Sequence, residues 1–199
     1  MKPPSDAQSL RLGPDVIAAL IPHRRPLVMV DGVAAYRHAP APTLWAHRHI
    51  SANEDIFTGH FPGVHLWPGV YTIEGLGQST LICAILAYLV GERERAGGTA
   101  ADVYQALRAK QRATTQPLGR AAAAASVLDG ERAPRAGMAG HIDVKFLAPV
   151  FGGCRLDYVV AMTHVVAPLA RFDVEAFVDG APVARGTMSG MLGPPAGAQ

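Results

Sequence analysis

At 199 residues the chain is long enough to bury a full core, and a single domain is the default for that length. Its net charge of +2, scattered basic residues and 7% aromatic content exclude a nucleic-acid-binding surface. Two cysteines, Cys83 and Cys154, are too few for a disulfide framework and read as reduced thiols of a cytoplasmic protein.

The first ten residues, MKPPSDAQSL, hold no apolar run, so neither a secretory signal nor an anchor is expected, and residues 1–12 read as disordered. Pro14-Asp15 opens a short helix that runs to Leu20. Leu27 to Tyr36 and Leu44 to Ile50 read as strands, separated by the Pro-containing stretch His38 to Pro42. His47 and His49, two apart in the second strand, share a face that is expected to meet solvent or the sheet edge.

Gly59 to Gln78, GHFPGVHLWPGVYTIEGLGQ, is the most informative stretch. Gly59, Pro62 and Gly63 bracket His60 with residues that fix or permit sharp turns, so its imidazole projects from a rigid loop, as a general base requires. Pro68 suits the first turn of a helix. Gly69 beside it admits a ligand close to the backbone, where free N–H groups and the helix dipole favour an oxyanion.

From Val70 the chain reads VYTIEGLGQSTLICAILAYLV, a helix apolar nearly all round and therefore buried. Its fully uncharged part, Gly75 to Val90, falls short of the ~20 residues that a bilayer span needs, so a core helix and no membrane are expected. Glu74 and Gln78 share one face with Tyr71 a turn earlier. A lone carboxylate on a buried helix must be paired, solvated in a cavity or protonated, and a protonated glutamate is a general acid. Taken singly, Glu74 fits a salt bridge to an arginine and His60 a loop-stabilising role. Their combination, with a helix start between them, suits acid-base chemistry next to a carbonyl. His60, His65 and Glu74 match no zinc spacing, so no metal is expected.

Glu92 to Gly140 is rich in Ala, Gly and Arg, with eight basic residues against five acidic ones. Asp102 to Arg112 has helical spacing, with Val103, Ala106 and Leu107 on one side. Two readings stand for this stretch: a surface helical excursion, or a lid or dock for an acidic partner. Strands then follow at His141–Leu147, Leu156–Thr163, Ala170–Val178 and Val183–Leu192, with Asp179-Gly180 as a two-residue hairpin turn. The expected class is α+β: a long buried helix wrapped by an antiparallel sheet. The domain spans residues 13–192, with an insertion at about 92–140 and a tail at 193–199.

Gly59-His60-Phe61-Pro62, Pro68-Gly69-Val70, Glu74 and Gln78 resemble the motif of the 3-hydroxyacyl-acyl carrier protein dehydratases. Ile21 to Val33, Asn53-Glu54, Lys145-Phe146 and Pro149-Val150 resemble their flanking segments. A glutamate at position 74 is similar to the dehydratase-only branch. The resemblance implies a hot-dog fold, His60 and Glu74 as catalytic residues, and Gly69, Val70 and Gln78 at the oxyanion or substrate. It further implies no cofactor, an acyl carrier protein bringing the substrate in fatty acid or polyketide-type synthesis, and a homodimer or an assembly of dimers in which histidine and carboxylate come from different subunits. A hot-dog thioesterase and a non-catalytic partner subunit of a dehydratase heterodimer are the alternatives. The chain departs from the family at Gly152-Gly153-Cys154, at Gly75 and Gly77, and in the length of the insertion. The two helix glycines are read as room for a bulkier acyl chain.

Overall fold

The computed structural model describes residues 2–111 and 137–192. The strands are β1 (Gln8–Leu12), β2 (Gly32–Arg37), β3 (Thr43–Ile50), β4 (Gly137–Phe146), β5 (Cys154–Val166), β6 (Leu169–Val178) and β7 (Ala181–Leu192). The helices are α1 (Pro14–Leu20), α2 (Gly69–Arg95) and α3 (Ala100–Lys110). All seven strands form one antiparallel sheet in the order β1-β2-β3-β5-β6-β7-β4.

The sheet curls around α2 because its strands alternate. On β6, Ala170, Phe172, Val174 and Ala176 face inward, while Arg171, Asp173 and Glu175 face out. Phe177 is buried too, but on the other face of the sheet, where it pairs with Asp157 of β5 and Pro182 of β7 outside the core cluster. Asp179 and Gly180 both take positive φ, 51° and 83°, the conformation of a tight two-residue hairpin between β6 and β7. Leu76, Ile82, Leu86 and Leu89 of α2 are fully buried against Leu156, Tyr158 and Val160 of β5 and their neighbours. By length and hydropathy α2 could cross a membrane, but two thirds of its most apolar stretch (67%) is buried inside the sheet, so it is the core helix.

Two expectations need correction. Residues 8–12 are ordered: Leu10 and Leu12 alternate inward at 1% and 2% exposure, and β1 pairs with β2. Leu27 to Asp31 is not strand; its backbone bonds to Arg24, to the Gln78 side chain and, at Asp31, to His47. His47 and His49 share a face as expected, with rings 5.0 Å apart: His49 meets solvent and His47 is half-buried, on a strand that lies between β2 and β5 rather than at an edge.

The described part of the 92–140 insertion continues α2 to Arg95 and then forms α3. Thr99 and Asp102 make a reciprocal capping box at its start. Val103 and Leu107 are buried, Ala106 partly so, and Tyr104 meets Tyr36 edge-on. Arg93 pairs with Asp102, Arg95 with Glu92, and Arg108 donates to the Ser9 carbonyl. Residues 92–110 pack on α1, α2 and β1 and line neither cavity described below, whereas Gly137, Met138 and Ala139 at the start of β4 line the cavity of Glu74. The remainder of the insertion, residues 112–136, and the tail at 193–199 lie outside the described residues.

Candidate active site

His60 follows a short 3-10 turn, Asp55–Thr58, and its own N–H bonds the Ile56 carbonyl at 2.9 Å. Phe61 and Val64 close a small loop by mutual backbone bonds, with Gly63 at φ +81° making the reversal. The loop is moored twice more: Gly152 N–H bonds the His65 carbonyl at 2.9 Å and Trp67 N–H bonds the Val150 carbonyl at 2.8 Å. A Cβ on Gly152 would strike the Phe57 ring at 2.8 Å, so that glycine serves close packing beneath the histidine loop.

The imidazole is held by Nδ1, 2.9 Å from the Leu66 carbonyl. A carbonyl only accepts, so Nδ1 carries the proton and Nε2 is left as the basic nitrogen. The ring stacks on Phe61 with centroids 4.3 Å apart. Both features suit a general base.

Helix α2 starts at Gly69, one residue before the expected Val70, with extended Pro68 as its N-cap. The Gly69 N–H has no acceptor within the helix, and it borders the same cavity as His60. A Cβ here would lie 2.7 Å from the Phe146 ring, so only glycine lets that ring approach. Val70 borders the cavity too and is 66% exposed. This cavity is open and holds about 610 Å³.

Glu74 stands a turn further along. Its Oε1 accepts from Gln78 Nε2 at 2.7 Å, and its side chain is about one third exposed (34%). The Gln78 amide is oriented without ambiguity: its oxygen accepts from Met29 N–H at 2.8 Å, and its nitrogen donates to the Leu27 carbonyl at 2.7 Å and to Glu74. Those bonds use the amide on this chain, so Gln78 holds Glu74 and the 27–29 segment. Glu74 borders a second cavity of about 230 Å³ that shares no lining residue with that of His60. Within this single chain the two residues face separate spaces.

The helix glycines differ in purpose. A Cβ on Gly75 would fall 2.2 Å from the buried Tyr158 hydroxyl, whereas one on Gly77 would meet only Met188 Cε at 3.6 Å, on the wall of the Glu74 cavity. Gly75 therefore serves packing, and Gly77 alone borders the cavity.

Sequence reasoning missed two side chains. Arg48 stacks over Trp67, bonds both oxygens of Glu54 at 3.0 and 3.1 Å, donates to the Val28 carbonyl and lies 3.5 Å from Asp31. It ties the 21–33 and 53–54 segments to the histidine loop. His23 borders the Glu74 cavity with Nε2 3.6 Å from Glu74 Oε1. Both interactions join residues distant in sequence, which periodicity does not reveal. Neither cysteine is a nucleophile candidate: Cys83 is fully buried and burial pushes its thiol up, and burial raises that of Cys154 as well.

The family model described as a FabA-like domain matches residues 21–118, from the proline-rich turn through α3 and just beyond. Residues 21–118, just under half of the chain, thus resemble a FabA-like domain. The segment is 47% identical over 64 residues to a 3-hydroxyacyl-[acyl-carrier-protein] dehydratase FabZ of Colwellia psychrerythraea, covering 32% of this chain and 41% of that protein. It is 45% identical over 73 residues to a FabZ of Legionella pneumophila, covering 37% and 45%. The chain thus spans under half the length of these curated relatives. Among solved structures, the dehydratase heterocomplex ApeI:P from Xenorhabdus doucetiae superposes with a TM-score of 0.56 over 89% of this chain and 90% of that one, at 13% identity. The fold is the hot-dog fold: the long α2 wrapped by an antiparallel sheet, with His60 and Glu74 inside the segment that the FabA-like model matches.

Proposed function

We propose that the chain dehydrates 3-hydroxyacyl thioesters, presented by an acyl carrier protein, to trans-2-enoyl thioesters, and that it does so in the cytoplasm as a homodimer. The observation that carries this reading is the separation of two prepared groups. His60 has a free basic nitrogen and Glu74 an oriented carboxylate, yet they border different cavities of one chain. A second copy laid against the N-terminal half of α2 brings the His60 of one chain to the Glu74 of the other. Val70, Phe61, Val64, Phe146 and Phe151, all 47% to 66% exposed, are the apolar side chains it would cover. The FabZ relatives, dehydratases by name, support the same chemistry.

In this mechanism the thioester oxygen takes a hydrogen bond from Gly69 N–H at the positive end of α2, which stabilises enolate-like charge. His60 Nε2 removes the proton next to the carbonyl. The C–O bond at the third carbon breaks, and the hydroxyl departs with the Glu74 proton as water. The electron pair of the broken C–H bond becomes the new double bond. His60 then sheds its proton and Glu74 regains one through solvent.

The test is turnover of 3-hydroxyacyl thioesters by the purified chain, followed at the absorbance of the enoyl product, beside His60→Ala and Glu74→Gln. Enoyl product in wild type and its loss in both variants is the expected result. Free thiol without enoyl product would move the reading to a thioesterase. No turnover without an added second protein would move it to a partner subunit.

A further inference from the structure

Glu74 Oε1 faces two nitrogens: the Gln78 amide at 2.7 Å and His23 Nε2 at 3.6 Å. His23 comes from the loop after α1, and its neighbour anchors that loop. Arg24 donates to the carbonyls of Ala18 (2.9 Å), Ile21 (2.8 Å) and His23 (2.7 Å), while its own carbonyl accepts from Leu27 and Val28. The imidazole is therefore presented from a rigid support, and the guanidinium beside it is turned to backbone oxygens.

The two ring nitrogens have different surroundings. Nδ1 is buried with no hydrogen-bond partner, and Nε2 points at the carboxylate. A nitrogen facing a carboxylate carries the proton, which leaves Nδ1 bare. The remaining walls, from β4, β6 and β7, bring Met138, Phe172, Met188, Ser189 and Met191. None of these titrates, so among the described residues His23 and Glu74 are the only titratable side chains lining this cavity.

We propose that His23 is a positioning residue for Glu74: Gln78 bonds Oε1 at rest, His23 Nε2–H faces the same oxygen and bonds it as charge develops there, and Oε2 is left as the oxygen that carries the working proton. Two donors on one oxygen stabilise negative charge there and direct the acidic proton to the other. The 3.6 Å approach is longer than a hydrogen bond and closes when the carboxylate becomes charged, at the moment the leaving hydroxyl takes its proton. The inference deepens the acid role proposed above and rests on it.

The experiment uses the full chain with His23→Ala and His23→Gln, the second keeping a side-chain N–H at this reach. Should the alanine variant melt early, His23→Asn replaces it, filling the space near Nδ1 while withdrawing the distal donor. Carbon-13 NMR titration of the Glu74 carboxyl, assigned by its loss in Glu74→Gln, reads the coupling without turnover. Losing the donor disfavours the carboxylate, so the Glu74 midpoint moves to higher pH in His23→Ala and stays in place in His23→Gln. In steady-state dehydration, kcat of His23→Ala falls about tenfold or more with KM little changed, and His23→Gln recovers most of it. An unmoved Glu74 signal in His23→Ala, or equal losses in the two variants, would overturn the inference. A wild-type chain whose Glu74 responds to His23 as described but which forms no enoyl product would sink the dehydratase reading and leave the coupling standing.

Discussion

The Gln78 amide donates to Glu74 Oε1 across 2.7 Å, one turn of α2 apart, while its own oxygen receives Met29 N–H. One buried side chain thereby fixes both the carboxylate and the backbone of a loop 49 residues away. Replacing Gln78 by Leu strands Met29 N–H and the Leu27 carbonyl and frees Glu74 to rotate. Buried groups left unpaired cost ~1–3 kcal/mol each, which gives about 2–6 kcal/mol for the two, toward the lower end because the Leu27 carbonyl is only part-buried. Activity falls more than Glu74 exposure alone predicts. Urea midpoints and kcat, measured on the same preparation, check both.

Gly75 and Gly77 separate packing from cavity shape. Alanine favours a helix by ~1 kcal/mol over glycine. At Gly75 a Cβ would sit 2.2 Å from the Tyr158 hydroxyl, itself buried without a partner, so overpacking of ~1–3 kcal/mol outweighs that gain and Gly75→Ala destabilises. At Gly77 the nearest atom is 3.6 Å away, so Gly77→Ala raises the melting temperature. It also narrows the Glu74 cavity, shifting preference toward smaller substrates. Thermal melts and a series of acyl lengths distinguish the two sites.

His47 gives the fold an acid-sensitive element. Burial first, then the charges of Arg155 and His49, holds it down at about 4, against ~6.5 for a free imidazole. Between those values the unfolded chain binds a proton that the folded chain refuses. This contribution is complete above ~6.5 and is lost progressively as pH falls toward 4. His47→Gln removes it, so the difference in melting temperature between pH 7 and pH 5 is smaller in the variant than in wild type. An equal difference would contradict the assignment.

Legibility in the sequence followed the range of the interactions. β6 was readable because its period of two is uninterrupted from Ala170 to Ala176, and its hairpin because Asp179-Gly180 accepts positive φ. α2, and the placing of His60 and Glu74 on either side of its start, came from local turn chemistry. β1 was missed since only Leu10 and Leu12 mark it, and the strand reading at 27–31 failed because those residues bond to a side chain on α2. His23 and Arg48 escaped for the same reason: their partners are brought near only by the fold.

The central claim is that His60 and Glu74 of different chains make one site, and mixing inactive variants tests it most directly. His60→Ala and Glu74→Gln, each inactive alone, are unfolded together, refolded and assayed for enoyl product. Random pairing makes half the dimers mixed, each with one intact site of two, so roughly a quarter of wild-type activity returns. If mixed dimers form and no activity returns, the site is not shared between chains and the account is wrong.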